Sequence, residues 1–255
     1  NNPTYRHSLK IEKNLKGILK NKKNSLTIAI GGNCNTDFMI PSIKAYFALH
    51  QKKINFISLK YNNWQSELIS QSIQPDFWII WLSTMGMSNG GTATNKFDSN
   101  SIKSATKLAA SRGEKIIFIM PEFSIMEKNP FSPFVQWRKN IIQKILNNVT
   151  KDTSIYYPDL AINYSGHASR YWSSARLPCH PDSISKIGID IANMIELSIK
   201  RKIKAFAVDL DDTLWGGIVG DVGYENVQLD HNGLGRPYLE MQKFLKDQSK
   251  LGIPI

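Results

Sequence analysis

The sequence predicts an α/β protein built on a parallel sheet. Its strand-type runs at 26–30, 76–82 and 115–120 are apolar but for Thr27, Asp76 and Lys115, as in strands covered on both faces. They alternate with segments of helical periodicity, the order that gives a sheet layered between helices. Glycine or proline closes them at their carboxyl ends, Gly31-Gly32 after the first run and Pro121 after the third.

Taken in order, Leu9, Leu15, Ile18 and Leu19 have roughly helical spacing and predict a leading amphipathic helix over 5–20. A buried strand follows at 26–30, then a helix at 37–50, a strand at 54–59 and a short helix at 64–70. The apolar run 76–82 is a strand, and 86–100, rich in Gly, Ser, Thr and Asn, is a long loop whose length points to function. A helix at 101–111 stops at Gly113. Then come a strand at 115–120, a helix at 134–148, a short strand at 155–157 and a helix at 183–199. A basic link near 200–204 divides the chain. The expected organisation is a leading helix and linker over 1–24, a three-layer parallel-sheet domain over 25–200, and a second unit over 201–255. That second unit has a strand at 206–210, a helix at 235–250 and the opening of another strand at 252–255. No internal repeat is present.

Composition narrows the function classes. With 42% hydrophobic and 21% charged residues the chain is an ordinary globular protein. No apolar run spans a bilayer, and residues Asn1 to His7 contain no signal-peptide apolar core, so no membrane partner is expected. Only Cys34 and Cys179 are present, which fits a reducing cytoplasm better than a disulfide framework. The net charge of +11 comes from lysines spread among Asn and Ile, so it reads as solvated surface rather than a nucleic-acid footprint. The clusters at 20–23 and 200–202 are the places where an acidic carrier protein would be attracted.

The chemistry concentrates in Ala205-Phe206-Ala207-Val208-Asp209-Leu210-Asp211-Asp212-Thr213-Leu214-Trp215-Gly216-Gly217. A β-type run ends in two carboxylates one residue apart, at the strand end where open α/β sheets bind ligands. One carboxylate can attack phosphorus in line, and the other can donate and recover a proton. A hard cation such as Mg²⁺ would be held by the same oxygens. The run Asp209-Leu210-Asp211-Asp212-Thr213-Leu214 resembles motif one of the haloacid dehalogenase (HAD) superfamily, Asp-x-Asp-x-Thr. The longer run through Gly217, with Ile218-Val219-Gly220-Asp221, resembles a narrower group, the FkbH-like proteins of HAD subfamily IIIC type. The resemblance implies a Rossmann-like HAD unit with Asp209 as nucleophile and Asp211 as acid/base. It also implies Mg²⁺ on Asp209 and Asp211, and Thr213, Gly216 and Gly217 at the substrate. It further implies dephosphorylation of a three-carbon acyl phosphate such as 1,3-bisphosphoglycerate and transfer of the glyceryl group to an acyl carrier protein in polyketide biosynthesis. Asp212 stands where that family commonly has Asn. The superfamily's later Ser/Thr, Lys and acidic pair would lie beyond Ile255, so phosphoryl transfer is expected of the full-length protein and not of this stretch alone.

FkbH-like proteins carry an amino-terminal domain similar to SGNH hydrolases, a flavodoxin-like three-layer fold whose first block is Gly-Asp-Ser-x-Thr. Gly32-Asn33-Cys34-Asn35-Thr36-Asp37 matches it with Cys34 at the nucleophile position and Asn33 in place of Asp. Thr36 and Asp37 are candidates to cap the following helix, whose amino terminus would favour a thiolate. In Leu177-Pro178-Cys179-His180-Pro181 the histidine position of the last block is filled by His180, with Leu177 where an Asp is usual. A Cys34–His180 dyad follows, with Asp159 or Asp182 orienting the ring and His167 as the alternative base. Asn89 is the oxyanion candidate, and Asn33, Asn35, Asn62 and Gln65 would line the pocket. Three readings stay open: acyl transfer through Cys34, a plain HAD phosphatase of glycan or secondary metabolism with a degenerate SGNH-like domain, and a non-catalytic carrier-docking module.

Overall fold

The computed structural model describes residues 4–15, 19, 24–70, 72–87, 99–122, 133–158, 168–199, 204–250 and 252–255. The chain separates into two compact units, Asn1–Leu197 and Ser198–Ile255.

The first unit is a three-layer α/β fold. Its strands are β1 (Asn24–Gly32), β2 (Lys53–Ser58), β3 (Phe77–Trp81), β4 (Lys115–Ile119) and β5 (Ser154–Tyr156). They form one sheet in the order β2-β1-β3-β4-β5. Every pairing is parallel, with Ile28 opposite Phe77 and Trp81 opposite Ile119. The reversal of direction between β1 and β3 is a topological switch point, where such sheets place ligands beyond their strand ends. The helices are α1 (Tyr5–Leu15), α2 (Ile40–Leu49), α3 (Trp64–Ser70), α4 (Thr84–Met87), α5 (Ser99–Ser111), α6 (Pro133–Leu146), α7 (Ala168–Ala175) and α8 (Pro181–Ile199).

Side chains alternate across a strand, so an all-apolar strand feeds two cores. Phe77, Ile79 and Trp81 join Ile28, Ile30, Ile117 and Ile119 on one face, under Ile43 and Phe47 of α2 and Ile184, Ile187, Ile191 and Ile195 of α8. Trp78, Ile80 and Leu82 turn to the other face, with Ala29, Ile116 and Phe118, under α3, α5 and α6. Each fully buried Ile or Phe is worth about 1.5–3 kcal/mol of transfer free energy. Helix α1 is held on the first face by Glu12 to Lys44 at 3.2 Å and by paired hydroxyls of Ser8 and Ser185 at 3.0 Å. No described helix is long and apolar enough to cross a membrane.

In the second unit Phe206 and Val208 are half-buried, while Ala205, Ala207 and Asp209 are exposed, the alternation of an extended segment. Its one backbone bond across to a neighbour is Phe206 N–H to the Pro254 carbonyl at 2.9 Å, so among the described residues no ladder forms over 206–210. The Phe206 ring meets Phe244 edge-on at 5.8 Å. Phe244 belongs to α10 (Arg236–Lys250), which follows the short α9 (Val219–Val222) and buries Leu245. The sequence pattern places the main elements but not α4, α7 or α9. The first and last are single turns carrying a glycine, and α7 sets Tyr171 and Trp172 side by side among small and polar residues.

Candidate functional site

In the second unit the residues after Val208 wind into a tight turn, with Leu214 N–H bonded to the Leu210 carbonyl at 2.9 Å. Asp211 is half-buried, and one of its oxygens, Oδ1, accepts from the Trp215 indole N–H at 2.9 Å and the Val219 backbone N–H at 3.3 Å. Asp209 is exposed, and its Oδ1 accepts from the Leu210 N–H at 2.9 Å. Each carboxylate thus has one oxygen fixed by protein donors, which sets its orientation. Asp212 has a φ of +51° and accepts from the Gly217 N–H at 2.7 Å, closing the loop through Gly217 at φ +99°. Gly216 pairs with Gln228 through backbone bonds of 3.0 and 2.8 Å. A Cβ there would lie 2.7 Å from the Tyr238 ring, so only glycine lets the two segments meet. Thr213 is half-buried in the same turn.

In the first unit the carboxyl ends of β1, β3 and β4 converge. Asn33 grips Ser83 with both halves of its amide: the Ser83 N–H donates to Oδ1 at 2.6 Å, and Nδ2 donates to the Ser83 carbonyl at 3.0 Å. The Ser83 hydroxyl donates to Glu122 Oε1 at 2.6 Å, and the Trp81 indole donates to Oε2 at 3.3 Å. The Thr84 hydroxyl donates to the Glu122 carbonyl at 2.9 Å. Gly32 at φ +150° and Gly86 permit this close approach, since a Cβ on either would fall about 2 Å from a backbone oxygen, that of Trp81 or Asn33.

Cys34 sits on this knot with only 3% of its surface exposed. Burial first, then the charges of Glu122 and Cys179, pushes its thiol well above the ordinary range. The expected pull of the helix amino terminus toward a thiolate is therefore outweighed, and Cys34 is a neutral thiol at physiological pH. The following cap also differs from expectation. The Thr36 side chain makes no cap bond, and it is Asn35 Oδ1 that accepts the Asp37 N–H at 3.1 Å. Asn35 also donates to the Ala175 carbonyl at 3.2 Å, and its N–H reaches the Arg176 carbonyl at 2.9 Å. The Asn62 N–H bonds the Gly32 carbonyl at 2.7 Å.

Among the described residues, the non-glycine residues at positive φ are Gln51, Asn62, Arg176 and Asp212. Asn62 and Arg176 are bonded to the Cys34 turn, and Asp212 lies in the acidic turn. Backbone strain of this kind collects where a fold holds a functional constellation.

The other expected residues have the following partners. His180 Nδ1 accepts the Asp182 N–H at 3.1 Å at the start of α8, and its ring meets Tyr171 edge-on at 5.2 Å. Asp182 is thus the acid beside the imidazole, at 3.8 Å, and it also takes the Tyr5 N–H. Gln65 donates to the Ser101 hydroxyl at 2.6 Å, tying α3 to α5. Asn89, Asp159, His167 and most of the 86–100 loop lie outside the described residues.

The chain shares its fold with a Mg-bound, phosphatase-containing protein. That structure is the amino-terminal part of BF1531 from Bacteroides fragilis, containing a phosphatase domain complexed with Mg. It matches at a TM-score of 0.66 and 20% identity, over 95% of this chain and 71% of that one. An acetyl xylan esterase matches at 0.39 and 11% identity, over 68% of this chain and 100% of that one. A G-D-S-L family lipolytic-type protein from Desulfitobacterium hafniense matches at 0.39 and 14%, over 66% and 98%. Scores that low carry no weight here. No family model and no curated relative matches the chain.

Sequence reasoning passed over Glu122 and Ser83. Glu122 is 6% exposed and lies at the end of β4, where burial raises its carboxyl while the Ser83 hydroxyl and backbone amides pull the other way. The available signal was an acid directly after Met120-Pro121, at the carboxyl end of a buried central strand.

Proposed function

We propose that this chain is the amino-terminal part of a HAD-type phosphohydrolase and acyl transferase, in which the second unit removes phosphate and the first handles an acyl group. The observation that carries this reading is the Asp209–Gly217 turn, which fixes one oxygen of each acid and leaves the other oxygen without a hydrogen-bond donor among the described residues. Asp209 attacks phosphorus, the bond to the leaving oxygen breaks, and Asp211 delivers the proton that oxygen needs. Water then attacks the aspartyl phosphate, and Asp211 takes the proton back.

Two carboxylates with spare oxygens suit Mg²⁺, a hard ion that keeps several of its waters. Among the described residues no third acid, Cys or His joins them, so they supply part of a metal site. When bound, Mg²⁺ would neutralise charge on the phosphoryl group.

The substrate that the FkbH-like resemblance of the acidic turn suggests is a three-carbon acyl phosphate of the 1,3-bisphosphoglycerate type. Cys34 would attack its carbonyl, the carbon–oxygen bond to phosphate would break, and the thiol proton would leave with the phosphate. A carrier protein's thiol would then take the acyl group and return a proton to Cys34. A second reading, a phosphatase whose first unit does no chemistry, is favoured by the burial of Cys34.

Incubating the full-length protein with 1,3-bisphosphoglycerate and weighing it intact decides between them. A glyceryl adduct lost in Cys34→Ala supports transfer. Phosphate release without any adduct supports the second reading.

A further inference from the structure

Arg176 stands where the end of a helix usually takes glycine. Helix α7 closes with the Arg176 N–H on the Trp172 carbonyl at 2.9 Å and the Leu177 N–H on the Tyr171 carbonyl at 3.3 Å. This pair of bonds holds Arg176 in the left-handed region at φ +56°, a conformation that suits a residue without a Cβ. The helix end explains the backbone but not the side chain. A cation is favourable at the carboxyl end of a helix, but lysine would serve there as well. The same residue is tied to the Cys34 turn. Its carbonyl accepts the Asn35 N–H at 2.9 Å, and the Ala175 carbonyl accepts from Asn35 Nδ2 at 3.2 Å.

The Arg176 guanidinium lies over the Trp172 ring, 5.5 Å from its centroid, and Trp172 packs on the core that contains Cys34. Such stacking holds a guanidinium in place without spending its donors. Tyr61 approaches the same turn, since the neighbouring Asn62 N–H bonds the Gly32 carbonyl at 2.7 Å. Its phenol is raised first by burial, lowered by the Arg176 charge and raised by Cys34, so it is near both. Arg176 and Tyr61 are exposed where Cys34 is buried, and they form the outer rim of its turn. Among the described residues no carboxylate pairs with Arg176. A flat fork of donors, stacked on an aromatic ring and without an acid, matches a phosphate. We infer that Arg176 is the specificity residue of the Cys34 turn, binding the phosphate at the far end of a short phosphorylated acyl donor. The acyl donor rests on the function proposed above; the phosphate contact is measured without it.

The test is isothermal titration of 3-phosphoglycerate and of glycerate, which lacks the phosphate, into the full-length protein. Mg²⁺ is chelated, so the two acids of the second unit repel anions rather than gather them. Wild type should bind 3-phosphoglycerate about tenfold or more tightly than glycerate. Arg176→Gly should lose that preference, while its thermal midpoint stays at or above that of wild type because glycine fits the left-handed turn. Arg176→Lys should keep only part of the preference, since an ammonium has the charge without the fork. Should Arg176→Gly not fold, Arg176→Asn, which also tolerates the left-handed region, carries the same test. Equal binding of the two ligands by wild type, or binding of neither, overturns the inference. So does an undiminished preference in the glycine or asparagine variant, which would leave Arg176 as a helix end only. Absence of a glyceryl adduct would sink the proposed acyl transfer and leave this binding difference standing.

Discussion

Replacing Asn33 by Ala would strip two partners from one buried residue. Ser83 has no exposed surface and Asn33 only 5%, so no solvent stands ready to replace the amide. The lost bonds, 2.6 Å to the Ser83 N–H and 3.0 Å to its carbonyl, leave one donor and one acceptor unsatisfied. A buried group left without its partner costs about 1–3 kcal/mol, so the pair costs roughly 2–6 kcal/mol. Against a typical total of about 5–15 kcal/mol this is a large loss. In a domain this size each kcal/mol moves the thermal midpoint by about 2–4 °C, so a drop of at least about 4 °C is expected. Asn33→Asp, which would install the residue usual in the SGNH block, keeps the acceptor but sets a carboxylate oxygen against the Ser83 carbonyl. It should also destabilise. Thermal unfolding followed by circular dichroism reads both. A midpoint within 1 °C of wild type, on the conversion above, would show that the clamp does not hold the strand ends together.

Gly86→Ala places a Cβ 2.1 Å from the Asn33 carbonyl oxygen, and backbone cannot swing aside as a flexible side chain can. It should lower the midpoint at least as far as Asn33→Ala, or give no soluble protein. Trp215→Phe removes a hydrogen bond to a charged oxygen of Asp211 and should slow phosphate release by the full-length protein about tenfold, with little change in stability. Glu122 binds its proton more tightly in the folded than in the unfolded chain. Its contribution to stability is therefore fully present below its ordinary value of 4.5 and is lost as pH rises through the higher folded value. In urea unfolding, the stability difference between wild type and Glu122→Gln, which also gives up the acceptor for the Trp81 N–H, should accordingly shift toward the variant as pH rises above 4.5. Parallel curves across the range would contradict this.

Much of the sheet was legible because buried parallel strands are apolar on both faces and are closed by glycine or proline. For the same reason the sequence did not reveal which core each side chain joins: Trp78 and Trp81 look alike in a run with no polar alternation, yet they lie on opposite faces. The acidic turn was legible as a stretch of chain, because Asp209, Asp211, Thr213, Gly216 and Gly217 fall within nine residues, but the bonds from Trp215 and Val219 that orient Asp211 were not. The Cys34 turn was legible as a position but not as an environment. Its helix-terminus location argued for a thiolate, whereas burial and Glu122 decide for a thiol, and Glu122 is 88 residues away in sequence. Contacts of that kind depend on how strand ends converge, which local patterns do not encode. His180 was legible as a residue just before a helix, but not the bond that turns its Nδ1 to the start of α8.

The most direct test of the account is phosphate release from a phosphate monoester, which has no acyl carbonyl for Cys34 to attack, by the full-length protein in the presence of Mg²⁺, comparing wild type, Asp209→Asn, Asp211→Asn and Cys34→Ala. The account predicts release by wild type, none detectable from Asp209→Asn, a strongly slowed rate from Asp211→Asn, and persistence of phosphate-ester cleavage in Cys34→Ala. Release by folded Asp209→Asn at the wild-type rate would contradict it.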